Sequence, residues 1–417
     1  MRRDADDRPA RVAPVRVRMR ARPIDEPHRA ASQLELLFDL TFVVAIASLT
    51  VQLAHGIADG EAAHVLSPFL QVFFAIWWAW MNFTWFASSF DTDDVPYRLL
   101  TMVQMGGVLV LAAGVPAAFN DGDFGAVTAG YLVMRVGLVA QWVRAAVEDP
   151  ASRATALRYA AGISIVQLGW LARLILAEAG VLPDGSLAPI FVGLALLELA
   201  VPPVAERVRP TNWHPEHIAE RYGLFTIIVL GESVLAASGS VEGAIEEGVS
   251  ASFLTIALAG LVLLFALWWL YFLEPAGEGL ERHRDRSYLW GYGHHGIFAA
   301  LAALGAGLEV AVEQTAHHVD ASSVSVGYAV ALPVAAFLVL LGAVHAPLVP
   351  SLAIRPAVTG VAVAAILALP LATGGIGPAA VVAAIAAVCA IVIAVTVVGA
   401  GVDRAARGAR PVHTPGS

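Results

Sequence analysis

The chain has 417 residues, 58% of them hydrophobic and only 14% charged, with a mean hydropathy of +0.72. Such a composition excludes a soluble globule and points to a chain that crosses a membrane many times. The formal charge of −9 argues against a nucleic-acid partner, and the lone cysteine, Cys389, rules out an internal disulfide and a cysteine-built metal site.

Residues 1–31, rich in Arg, Asp, Pro and Ala, read as a disordered cytoplasmic tail. No secretory leader is expected, because the first apolar run is too long for one and follows a long polar stretch. Twelve apolar segments come next, each near the roughly 20 residues that a helix needs to cross the hydrocarbon. They are 34–55, 65–90, 97–119, 124–148, 155–178, 187–205, 217–240, 249–274, 288–313, 323–344, 352–373 and 377–401, and 402–417 form a second short cytoplasmic tail. The connections are too short to hold a soluble domain.

All 25 basic residues are Arg, and their distribution sets an orientation. With the N-terminus inside, the inner segments collect the tail arginines, Arg98, Arg144, Arg153, Arg158, Arg207, Arg209, Arg221, Arg282, Arg284, Arg286, Arg355, Arg404, Arg407 and Arg410, and the outer loops hold acids and no Arg. The expectation is a multi-pass inner-membrane protein with both termini cytoplasmic.

An internal repeat is also expected. Trp77-Trp78 recurs as Trp268-Trp269, and Tyr97 as Tyr288, both at an offset of 191 (268 − 77 and 288 − 97). Six helices per copy is an even number, so the copies, 32–205 and 206–401, would be parallel and related by an axis along the membrane normal. Chance matching of aromatic-rich helices is the competing explanation.

The residues that could carry chemistry are charges inside apolar runs, because such charges are expensive in a bilayer and mark pathways or buried pairs. Glu35 and Asp39 stand four apart at the start of the first segment, on one helical face. They either complement the helix N-terminus or line an inner vestibule. The seventh segment begins with Glu220 and Arg221 and carries Glu232 deep in its apolar run, beside Gly231 and Ser233. These five residues are the candidates for an ion or solute pathway. Arg135 and Arg173 lie too far from the inner surface to reach it. Each calls for an acid (Glu178, Glu198 or Glu232) or for backbone carbonyls, and a pair that only fixes packing is the competing explanation.

His294 and His295 sit early in the ninth segment. They suit a proton relay or polar packing, and His295 falls at the repeat position of Gln104 (295 − 104 = 191). His214 with His217, and His317 and His318 with Asp320, lack a convincing third or fourth ligand, so no metal site is expected. Asp91, Asp93 and Asp94 read as a solvated turn. Walker, Rossmann and nucleophile-elbow patterns are absent, no cofactor is implied, and no set of His, Asp or Ser is tight enough for an enzyme.

Two segments, ELLFDLTFVVAIASL from Glu35 and HIAERYGLFTIIVLGESVLA from His217, resemble the signature helices of the bacterial low-temperature-requirement A (LtrA) family. Trp77-Trp78, the DTDD turn at 91–94 and Tyr97-Arg98 fit as well, and Leu37 stands where a phenylalanine is usual. The resemblance covers most of residues 32–400. It implies a polytopic inner-membrane protein linked to growth in the cold. Phe38-Asp39 with Phe42, and Gly223-Leu224-Phe225, are more weakly similar to a two-repeat, twelve-helix potassium channel family whose Phe-Ser-Asp-Gly helices line the pore; here that motif is incomplete in both halves. The expected function is transport or conduction of a small solute or ion, with the lipid bilayer as the other partner. A structural or signalling membrane component and a membrane-embedded enzyme are the alternatives.

Overall fold

The computed structural model describes all residues except 1–13, 25, 27, 28, 184, 248, 249, 317, 318, 350 and 409–417, and of 235–247, 316 and 400–408 it describes the backbone alone. Its regular structure is helical, with no strand among the described residues. The helices are α1 (Gln33–Ala58), α2 (Ala62–Phe90), α3 (Val95–Asn120), α4 (Gly125–Glu148), α5 (Arg153–Glu178), α6 (Leu187–Ala205), α7 (Pro215–Glu247), α8 (Ala251–Phe272), α9 (Gly277–Arg282), α10 (Ser287–Ala316), α11 (Ser323–His345), α12 (Pro356–Ala368), α13 (Thr373–Ile376) and α14 (Pro378–Gly408).

Each of the twelve expected segments is helical. Among the described residues, eleven stretches are long and apolar enough to span a membrane. The seventh is not among them. Its helix carries Glu216, Glu220, Arg221 and Glu232 and extends into the residues described by backbone alone. The segment expected at 352–373 is broken: α12 ends at Ala368, residues 369–372 form a 3₁₀ turn around Pro370, and α13 follows. Proline lacks the N–H that would continue the ladder and its ring crowds the preceding turn.

The ends of the helices show why they start where they do. Ser32 and Glu35 form a reciprocal capping box on α1: Glu35 N donates to Ser32 Oγ at 3.3 Å and Ser32 N to Glu35 Oε2 at 2.7 Å. Ser250 accepts from Phe253 N at 3.1 Å and Ser322 from Ser325 N at 3.2 Å, which caps α8 and α11. Where α3 crosses α4, a Cβ on Gly130 would lie 2.3 Å from Leu111 N and one on Gly107 would lie 2.7 Å from Gly130 O, so only glycine permits this approach.

The chain divides into two compact units. The first comprises residues up to Phe42, Trp78–Gly114 and Asp123–His214; the second comprises Val43–Trp77, Val115–Gly122 and residues from Pro215 onward. Trp77 and Trp78 are buried, whereas Trp268 and Trp269 are about half exposed, so the pairs equated by the 191 offset sit in unlike surroundings.

The N-terminal segment departs from the expected disorder. Residues 1–13 lie outside the described residues, but 14–22 form an extended strap across the loop ends of the first unit. Met19 is fully buried, and its N–H donates to Glu148 Oε2 at 2.6 Å. Val17 N donates to Asp94 Oδ2, Arg18 Nε to Glu148 O, Ala21 N to Asp149 Oδ2 and Arg22 N to Ser89 O. The strap is ordered because buried acids accept its backbone hydrogens and its arginines. At the other end, the helix runs past the expected tail boundary at 402 to Gly408.

Candidate functional site

The first unit surrounds its most buried acids with donors. Glu198 on α6 is completely buried. Its Oε1 accepts from the Tyr131 hydroxyl at 2.9 Å and from Trp170 Nε1 at 3.3 Å, and its Oε2 accepts from Trp78 Nε1 at 2.8 Å. Arg135 on α4 stands 3.7 Å from Oε2, donates to the Tyr131 hydroxyl and lays its guanidinium over the Tyr131 ring at 4.4 Å. Of the acids open to Arg135 in the sequence, the fold selects Glu198. Arg173 reaches a backbone carbonyl: its Nε donates to Leu187 O at 3.3 Å, between the rings of Phe124 and Phe191.

Asp39 is also completely buried, and Trp80 Nε1 donates to its Oδ1 at 2.7 Å. Glu35 serves the capping box. Gln104 donates to Gln141 at 3.0 Å, and Gln141 in turn to Thr101 at 3.2 Å, forming a short polar ladder between α3 and α4.

The Asp91–Asp94 turn is not simply solvated. Asp94 caps α3 through Tyr97 N at 3.0 Å and receives Arg144 in a two-point fork at 2.6 and 2.8 Å. Burial would raise the Asp94 carboxyl, but the Arg144 fork and the N–H groups of Val17 and Tyr97 outweigh it and hold the carboxyl down at about 2. Asp91 goes the other way. Burial pushes it up to about 6; nearby Glu35 and Asp93 add to this, and Arg29 and Arg22 oppose it.

The second unit is different. Glu232 on α7 is 6% exposed and its Oε2 has no hydrogen-bond partner among the described residues. Glu309 on α10 likewise has a buried Oε2 without a partner among the described residues, and it lies near enough to Glu313 and to Glu232 to interact with the charge of each. No Arg stands within ion-pair distance of Glu232 or Glu309 among the described residues. Helices α7 and α10 pack closely here: Ser233 Oγ lies 3.5 Å from Leu301 O, and a Cβ on Gly305 would come within 2.9 Å of Ser233 Oγ. Beside Glu232, the space around Gly231 is open.

Glu309 is absent from the sequence-derived candidates. The signal that could have found it is the one that found Glu232, an acid in an apolar run flanked by small residues, here Gly305 and Gly307.

Of the remaining candidates, Arg221 is completely buried and Glu220 is exposed. His294 is held by Trp290 O at 2.7 Å and the Tyr271 hydroxyl at 3.1 Å. His295 stands edge-on to Trp77 at 4.8 Å, and its Nε2 is buried with no partner among the described residues. His214 belongs to the first unit and His217 to the second. His317 and His318 lie outside the described residues. Among the described residues no three His, Cys, Asp or Glu come together as a metal site.

An all-helical chain with this many apolar spans, and charges buried within them, is a multi-pass membrane protein. It belongs to the bacterial low temperature requirement A protein (LtrA) family, whose model matches residues 30–399. It is also 30% identical over 293 residues to an uncharacterized protein of Rhizobium meliloti (strain 1021), a match covering 63% of this chain and 65% of that relative. The chain thus spans just under two thirds of the relative's length.

Proposed function

We propose that this protein moves a small cation, or a proton, across the inner membrane through the second unit, with Glu232 and Glu309 as the groups that take up the charge. The observation that carries the reading is the pair of carboxylates on packed helices with buried oxygens and no arginine partner among the described residues. A buried carboxylate without a counter-ion costs several kcal/mol, and it persists in membrane helices chiefly where it binds a proton or cation in turn. Both termini are cytoplasmic in this reading, which rests on the one-sided arginines. The halves 32–205 and 206–401 are its parallel repeats, and its flux serves growth in the cold, as the family's name suggests. Its role is conduction or carriage, not catalysis.

A second reading, a structural membrane component, draws on the first unit, where Glu198 and Asp94 are fully engaged.

The test is flux in proteoliposomes under proton, sodium and potassium gradients. Glu232→Gln and Glu309→Gln keep shape and remove charge. Both variants are expected to purify and melt like the parent and to lose flux or its pH dependence. Unchanged flux in both variants, across all three ions, overturns the reading.

A further inference from the structure

Between α4 and α5, wholly within the first unit, lies a groove of about 490 Å³, within the range of small-molecule sites. Its walls are apolar, and its outer edge is formed by residues such as Val136 and Leu168, which are 59% and 66% exposed and so face the lipid phase. Three polar side chains line it: Ser164, whose hydroxyl is spent on Ala160 O at 2.8 Å, and the buried pair Arg135 (1% exposed) and Gln167 (5% exposed). Arg135 and Gln167 have unused hydrogen-bonding capacity: Nε and Nη1 of Arg135, and both Oε1 and Nε2 of Gln167, are buried with no partner among the described residues. Tyr131 and Glu198 occupy only Nη2. Donors left idle in a hydrocarbon setting are costly, and a bound acceptor would satisfy them.

The arrangement specifies the occupant. Arg135 and Glu198 together are formally neutral, so an anionic head would leave a net negative charge at this depth, which burial penalises. A neutral head with acceptors on two opposite edges would meet Arg135 on α4 and Gln167 on α5 at once, and its tail would lie along the valine and leucine wall. We propose that this groove binds the head of a long-chain para-quinone, one carbonyl oxygen accepting from Arg135 and the other from Gln167 Nε2. Binding alone is proposed, with no electron transfer. The site shares no residue with the acids of the second unit and stands or falls separately from the cation reading.

The test uses the full chain in nanodiscs of synthetic phosphatidylcholine, titrated with decylubiquinone. Binding is read by quenching of tryptophan fluorescence and by quinone retained after desalting. The parent should bind saturably. Gln167→Leu removes both amide atoms, leaves the Arg135–Glu198 pair intact and should weaken binding about tenfold, the equivalent of one lost hydrogen bond. Val136→Trp fills the groove from its lipid-facing edge and should abolish binding without changing the melting temperature; it decides the matter if Gln167→Leu fails to fold. Non-saturable uptake by the parent, or parent-like binding by Val136→Trp, overturns the proposal. So does oleate held as tightly as the quinone and displacing it, since the groove would then be a general acyl-chain slot.

Discussion

Glu198 and Glu232 are both acids in apolar helices, and both are nearly or completely removed from solvent. Glu198 is surrounded by two indole N–H groups, a tyrosine hydroxyl and a guanidinium. Glu232 keeps a buried oxygen with no donor among the described residues and has another acid, Glu309, near it. Burial therefore does not tell these two acids apart; their partners do. In the first unit, Trp78 of α2, Tyr131 and Arg135 of α4 and Trp170 of α5 converge on Glu198. In the second, glycine and serine bring α7 against α10 and supply no cation to Glu232 or Glu309.

The comparison breaks most visibly at Glu198. Glu198→Gln removes the charge that Arg135 faces, and an uncompensated buried arginine costs about 3–5 kcal/mol. Thermal unfolding in detergent should show a collapse of stability. The same amide exchange at Glu232 or Glu309 removes a charge that had no counter-ion and should leave stability unchanged or raised. Equal losses at Glu198 and Glu232 would erase the distinction between the units.

The next effect is at Asp94. Asp94→Asn weakens the Arg144 fork and the seat of Val17, at an expected cost of about 1–3 kcal/mol. Limited trypsin digestion should then cut the strap at Arg16, Arg18 and Arg20 faster than in the parent. An unchanged cleavage rate would show that Glu148 and Asp149 hold the strap without Asp94.

The smallest effect separates two neighbouring carboxyls by pH. Asp91 titrates higher in the fold than in the open chain, so folding favours its neutral form. That contribution is full below the ordinary carboxylate value and is lost as pH rises through about 6. Asp94 is the reverse: its contribution is full above the ordinary value and is lost as pH falls through about 2. Between pH of about 4 and 6 Asp91 acts without Asp94, and its contribution lowers the melting temperature as pH rises. Asp91→Asn should flatten that slope; a slope that persists would assign it to another group.

The helices were legible because one that crosses a bilayer must supply its own run of apolar residues, and that requirement is local; α7, with four charges in its described part, meets it least well. Pairing is not local. The sequence marked Arg135 as needing a partner but left Glu178, Glu198 and Glu232 open, since the choice depends on how α4, α5 and α6 pack. Arg16–Arg22 looked like a solvated tail because its acceptors, Asp94, Glu148 and Asp149, lie elsewhere in the chain. One local sign was present: Val15, Val17 and Met19 alternate with arginine, the pattern of an extended segment with two unlike faces. Pro370 was equally visible as a helix breaker inside the eleventh segment.

The strap also bears on the order of synthesis. Residues 16–21 leave the ribosome 77 to 132 positions before the acids that seat them. While the first three helices insert, these arginines have no berth, and the latch can close only after Asp149 has emerged. A nascent chain halted before that point would present a loose, protease-sensitive basic leader, whereas a finished one would not. A fusion partner joined ahead of residue 14 leaves the latch whole, and one that replaces residues through 22 removes it.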